Sequence, residues 1–176
     1  MIVNGVNLTK AQVRVEVAKD VIRSLKLLNP KSGVYLRPFG TATLANKIVE
    51  SSKDSRKVAQ KLKKGCEVCA LGACFLSTVK LTNKYTFNPI RPSEYMPYKS
   101  DSWDREDLLG KLHKVFTPFQ IDLIETAFEG YNCGVIRMGS AIDQRATSFY
   151  HDYEDETSRL RAIMKNIIKN NGTFKP

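Results

Sequence analysis

Cys66-Glu67-Val68-Cys69-Ala70-Leu71-Gly72-Ala73-Cys74-Phe75-Leu76-Ser77-Thr78-Val79-Lys80-Leu81 is the stretch that decides the fold class of this 176-residue chain. Only Glu67 and Lys80 are charged, and small or apolar side chains fall on every side of the helix that the segment predicts. A helix that is apolar all round has no solvent face and belongs in the middle of a domain, covered by other helices. Ala70, Gly72, Ala73 and Cys74 are small enough for neighbouring helices to come close. A mid-helix Gly costs about 1 kcal/mol relative to Ala, so close packing is the expected compensation at Gly72.

The flanking sequence supplies the covering helices. Upstream, Thr43 to Glu50 and Ser52 to Lys64 predict two short helices, or one with a break at Ser51-Ser52, with Gly65 as terminator. Earlier still, Thr9 and Gln12 form a capping box and Leu8 with Val13 has the spacing of a hydrophobic staple. Val13, Val17, Val21, Leu25 and Leu28 then make one apolar stripe, with Arg14, Lys19, Asp20 and Arg23 outside it. Asn29-Pro30 ends that helix, and Gly33 to Pro38 reads as a short extended segment, an edge strand.

Downstream, Tyr85 to Ser100 holds three prolines among aromatics and reads as a long ordered loop. Asp101 to Val115 predicts a helix with acids in its first turn and Lys111, His113 and Lys114 in its last, matching the helix dipole. Thr117-Pro118-Phe119-Gln120 is the best-marked helix start, with Gln120 closing a capping box on Thr117 and Gly130 ending the helix. Ser140 to Tyr150 predicts a further helix. The acidic run Asp152 to Glu156 precedes a last helix with the stripe Leu160, Ile163, Met164, Ile167 and Ile168, closed by Asn171-Gly172. The architecture expected is mainly α: one helical domain over 1–176, a compact bundle of about six helices with at most a minor β element.

Hydrophobic residues make up 42% and charged residues 26%, which excludes a largely disordered chain. No apolar run is long enough to span a bilayer, and Met1 to Gly5 lacks the basic start and apolar stretch of a signal peptide. A cytoplasmic protein with no membrane contact is expected. Basic residues outnumber acidic ones by 28 to 18, giving a formal charge of +10. Seven of them (Lys47, Lys53, Arg56, Lys57, Lys61, Lys63, Lys64) stand within 18 residues against Glu50 and Asp54. Lys57, Lys61 and Lys64 share one helix face, either a solubilising surface or a contact for nucleic acid.

Of four cysteines, Cys66, Cys69 and Cys74 fall within nine residues, but no second close pair completes a zinc site, and no βαβ context surrounds the CxxC. Buried, reduced thiols are expected, with no metal and no cofactor. His113 and His151 are the only histidines, and neither stands in a catalytic motif. The acidic run lacks the spacing and glycine of a calcium loop; its plainer role is to meet the positive end of the last helix's dipole, with Arg159 and Arg161 close enough to pair. Arg137, Gly139 and Ser140, just before a helix, form a reasonable anion cradle, with Arg145 a turn further on and Tyr150 able to stack on a base.

Three pieces together, Arg14 to Ile22 leading to Gly33-Val34-Tyr35, Cys69 to Ala73, and Arg159 to Ile168 with Gly172-Thr173-Phe174, resemble small accessory proteins of bacteriophages and prophages, a group without an assigned activity. The resemblance implies a setting, a bacterial cytoplasm under phage control, and carries over no functional residue. The leading expectation is an accessory protein that acts by binding: it inhibits, sequesters or modulates a host or defence component, with a host protein or a small anionic, nucleotide-like ligand as partner. Self-association is compatible with this. The alternatives are a nucleic-acid-binding protein using Lys57, Lys61 and Lys64, or a small enzyme using His151 or Cys69.

Overall fold

The computed structural model describes residues 1–39, 42–87, 105–131, 136 and 138–176. In chain order its elements are β1 (Ile2–Val3), β2 (Val6–Asn7), α1 (Lys10–Ser24), β3 (Asn29–Pro30), β4 (Leu36–Pro38), α2 (Ala42–Glu50), α3 (Ser55–Gly65), β5 (Cys66–Val68), α4 (Ala70–Thr82), α5 (Arg105–Leu112), α6 (Pro118–Glu129), α7 (Ala141–His151) and α8 (Glu156–Lys169). The protein is mainly helical, but the described residues hold eight helices where about six were expected. One reason is that the break near Ser51-Ser52 is real: Asp54 caps α3 by accepting from the Arg56 N–H at 2.9 Å.

α4 is the centre of the molecule, buried at every residue except Lys80, and it packs against α1, α3, α5 and α6. Its neighbours present apolar faces: Val13, Val17 and Val21 of the stripe read from the sequence in α1, Val58 and Leu62 from α3, and Ile121, Ile124 and Phe128 from α6. Each such side chain, fully buried, contributes about 1.5–3 kcal/mol, so these faces dominate the packing energy. A second layer follows, with α8 on α1 and α6, and α7 on α6. Gly72 does allow a close approach, but to a backbone rather than a helix: a Cβ there would lie 1.6 Å from the Tyr35 carbonyl oxygen.

Residues 66–68 correct the expectation of a helix from Cys66. They form β5, the middle strand of a three-stranded sheet, parallel to β3 and antiparallel to β4. Cys66 and Val68 point inward while Glu67 points out to Arg37, a two-residue alternation too short to outweigh the helical pattern after it. The pairing decided it. Pro30 and Pro38 lie on the outer strands, where a missing N–H is tolerated. A β1–β2 hairpin was also not anticipated; its turn is Asn4-Gly5, both at positive φ (49° and 83°), the signature of a type I′ turn.

Local ends differ in instructive ways. The Thr9 capping box is present with both bonds. α1 stops at Ser24 rather than at Asn29-Pro30, because the N–H groups of Leu27 and Leu28 both return to the Ser24 carbonyl and free Asn29-Pro30 to pair with β5. Thr117 caps α6 as expected, but Gln120 does not close a box. Its buried amide instead pairs with both backbone groups of Phe174, at 2.6 and 3.2 Å, pinning the C-terminal tail. Lys111 is not a surface cation: it is buried, donates to the Lys84 carbonyl at 2.6 Å, and burial lowers its pKa to about 8. Of the loop expected at Tyr85 to Ser100, only 85–87 is described; there Tyr85 and Phe87 pack edge-on against Phe75. Among the described residues, no helix is long and apolar enough to cross a membrane.

Candidate functional site

The start of α7 is built as its sequence implies, yet its donors already serve the chain. Ser140 caps the helix by accepting from the Asp143 N–H at 3.3 Å, and the Gly139 N–H donates to Asp143 Oδ2 at 2.8 Å. A buried carboxylate of the protein thus occupies the position an anion would take at a helix N-terminus. Arg145 is exposed and turns back to the Ala141 carbonyl at 3.3 Å, while Arg137 lies outside the described residues. Tyr150 stands ten residues beyond Ser140, about 15 Å along the helix axis. Its ring lies against the Arg159 guanidinium, 3.8 Å from ring centroid to Cζ, and above Gly130, whose αL conformation and missing Cβ make room for it. Gly139 and Ser140 therefore meet each other, but Tyr150 belongs to a different contact.

Arg159 also departs from expectation. It is buried and pairs with no acid among the described residues; its guanidinium donates to the carbonyls of Phe128, Tyr150 and Tyr153 at 3.0–3.3 Å, locking the end of α6 to the α7–α8 connection. Asp155, from the acidic run, caps α8 by accepting from the Ser158 N–H at 2.8 Å.

The residues weighed for catalysis come from different elements. Cys69 sits buried at the start of α4, where burial and the nearby carboxylate of Glu129 push its thiol well above the usual range, although N–H groups of Leu71 and Gly72 oppose the shift. Cys66 and Cys74 are likewise buried free thiols, each pushed up to about 12 by burial. Thiols so protonated are weak nucleophiles. Cys133 lies outside the described residues. His151 ends α7 at the surface against Tyr150, and His113 follows α5 at the surface. Among the described residues, neither forms a hydrogen bond with Cys69. Near Cys69, Glu125 accepts a hydrogen bond from the Tyr35 hydroxyl, and Glu129 accepts from the Gly33 N–H at 2.6 Å. Burial, together with Glu125, raises Glu129 to about 7 against that bond.

Two cationic rows remain. On α3, Lys57, Lys61 and Lys64 are exposed on one face; Lys61 donates to the Ser51 hydroxyl at 2.8 Å, and none of the three pairs with a carboxylate among the described residues. Lys63, counted with them by sequence, is buried inside the protein. On α8, Arg161, Lys165 and Lys169 recur every fourth residue on the side opposite the buried Leu160, Ile163 and Ile167, and line an open groove with Phe149 and Tyr153. That spacing is legible in the sequence, but the adjacent acidic run made ion pairing the natural reading of Arg161. No family model, curated protein or solved structure matches the chain.

Proposed function

We propose that the protein acts by binding rather than by turnover, and that its partner is a nucleic-acid backbone engaged by α3. One observation carries this reading: Lys57, Lys61 and Lys64 form an exposed row with no carboxylate partner among the described residues, on a chain of formal charge +10. Ammonium groups one helical turn apart and not paired with carboxylates can displace the counterions condensed on phosphates, and that release supplies sequence-independent affinity. The burial of the thiols, which keeps them protonated, favours binding over nucleophilic chemistry. The resemblance to phage accessory proteins adds a setting to the proposal, an infected bacterial cytoplasm in which a host or defence component is bound and redirected.

The test is fluorescence anisotropy of labelled duplex DNA against salt concentration. Reversing all three lysines (K57E, K61E, K64E) should weaken binding by about tenfold or more and flatten the log affinity against log salt slope by about 2–3. Affinity and slope unchanged by the reversal would discard the α3 interface.

A further inference from the structure

We infer that the groove between the end of α7 and the outer face of α8 is a second, separate site, and that it binds phosphodiester-linked nucleotides. The groove is open, with a volume of about 670 Å³, within the range of small-ligand sites. Arg161, Lys165 and Lys169 run along one wall, successive residues separated by about 6 Å of helix rise. All three are exposed, and none of their side chains makes a hydrogen bond or ion pair among the described residues. Such a row suits a run of phosphates better than a single one.

The lining that comes from outside α8 is aromatic and packed. Phe149 and Tyr153 lie 5.2 Å apart with their rings tilted, and Phe149 is braced edge-on by the buried Phe174 at 5.3 Å. The Tyr153 carbonyl is fixed by Arg159 at 3.0 Å, and its half-buried ring rests against Phe149. Cations beside half-exposed rings are the components that grip single-stranded nucleotides, the row taking phosphates while a base stacks on the aromatic face. Asn166, also in the wall, is not offered to a ligand: its amide pairs with both backbone groups of Lys175 at 2.7 and 2.9 Å and fastens the C-terminal tail. Among the described residues, no carboxylate side chain lines the groove. The acids of the preceding run crowd the start of α8, and this polarity directs the phosphates toward Lys165 and Lys169 and the base toward Tyr153.

Calorimetry with the linear dinucleotide pApA, inorganic pyrophosphate and an oligoglutamate peptide tests the assignment, with the fold of each variant checked by circular dichroism. The native protein should bind pApA. The triple reversal R161E, K165E, K169E should weaken binding at least about tenfold, whereas the α3 reversal should leave it unchanged, which separates this site from the α3 reading. Tyr153→Ala should weaken pApA by roughly five- to a hundredfold, the size of a lost base stack, and leave pyrophosphate unaffected, while Tyr153→Phe retains binding. Three results would overturn the inference: no binding of pApA at millimolar concentration, indifference to the α8 reversal, or oligoglutamate binding as tightly as pApA with Tyr153→Ala silent.

Discussion

Lys61 and Lys63 are two residues apart on α3 and live in opposite environments. Lys61 is exposed and touches one hydroxyl. Lys63 is 1% exposed, and its three N–H groups are all used, on Asp20 at 2.5 Å, Ser77 at 2.8 Å and Ser24 at 2.9 Å. Lys80 donates to the other oxygen of Asp20 at 2.5 Å, so one carboxylate ties α1, α3 and α4 together. Although burial pushes the Asp20 carboxyl upward, the two lysines hold it below its usual range. An ammonium is tolerable inside a protein only when every donor finds an acceptor and a counter-charge stands beside it. The same residue type thus fastens helices on one face of α3 and meets solvent on the other.

The largest effect expected from breaking this contrast is at Asp20. Asp20→Ala leaves the Lys63 ammonium buried without a counter-charge and should cost about 3–5 kcal/mol in urea unfolding. Lys63→Met should cost less, about 1–3 kcal/mol, because Asp20 keeps Lys80 while Ser24 and Ser77 lose a donor. In the double variant the two losses should be far from additive; a simple sum would mean that the pair does not act as a unit.

A second buried acid sharpens the comparison through pH. Asp20 is lowered, so its contribution is present above the ordinary carboxyl range and fades as pH falls through the lowered value. Glu129 is raised from 4.5 to about 7, chiefly by burial. The folded protein holds that proton more tightly than the unfolded chain, so this group makes stability fall as pH rises from about 4.5 to about 7. Glu129→Gln, which can still accept from Gly33, should flatten Tm against pH across that window; an unchanged slope would place the decline on another group.

The smallest effects belong to the outer row. Met in place of Lys57, Lys61 or Lys64 should shift stability by no more than about 0.5 kcal/mol each. A cost at Lys61 equal to that at Lys63 would erase the distinction between the two faces.

The candidate sites were legible to different degrees for related reasons. The α3 row follows from helical spacing alone, and its exposure agrees with that reading. The α8 row has equally regular spacing, but its meaning depends on Tyr153 and Phe149, which reach it from outside the helix. At the start of α7 the residue types suit an anion, yet Asp143, three residues inside the helix, folds back onto Gly139. Distances between side chains from separate turns decide such sites, and no local pattern encodes them.

What the sequence by itself determined is local: the caps at Thr9 and Thr117, the stop at Gly130, the inward stripes of α1 and α8, and the central burial of α4. These follow from hydrogen bonds and periodicity within a few residues, and they survive in the structure almost unchanged. Only the tertiary structure decided that Cys66–Val68 extends, that Gln120 serves Phe174, that Arg159 clamps carbonyls, and that Asp20 and Lys63 lie inside. Each of those outcomes depends on partners at least six residues away and most of them more than thirty, whose bonds compensate for burying a polar group that local propensity would leave in water.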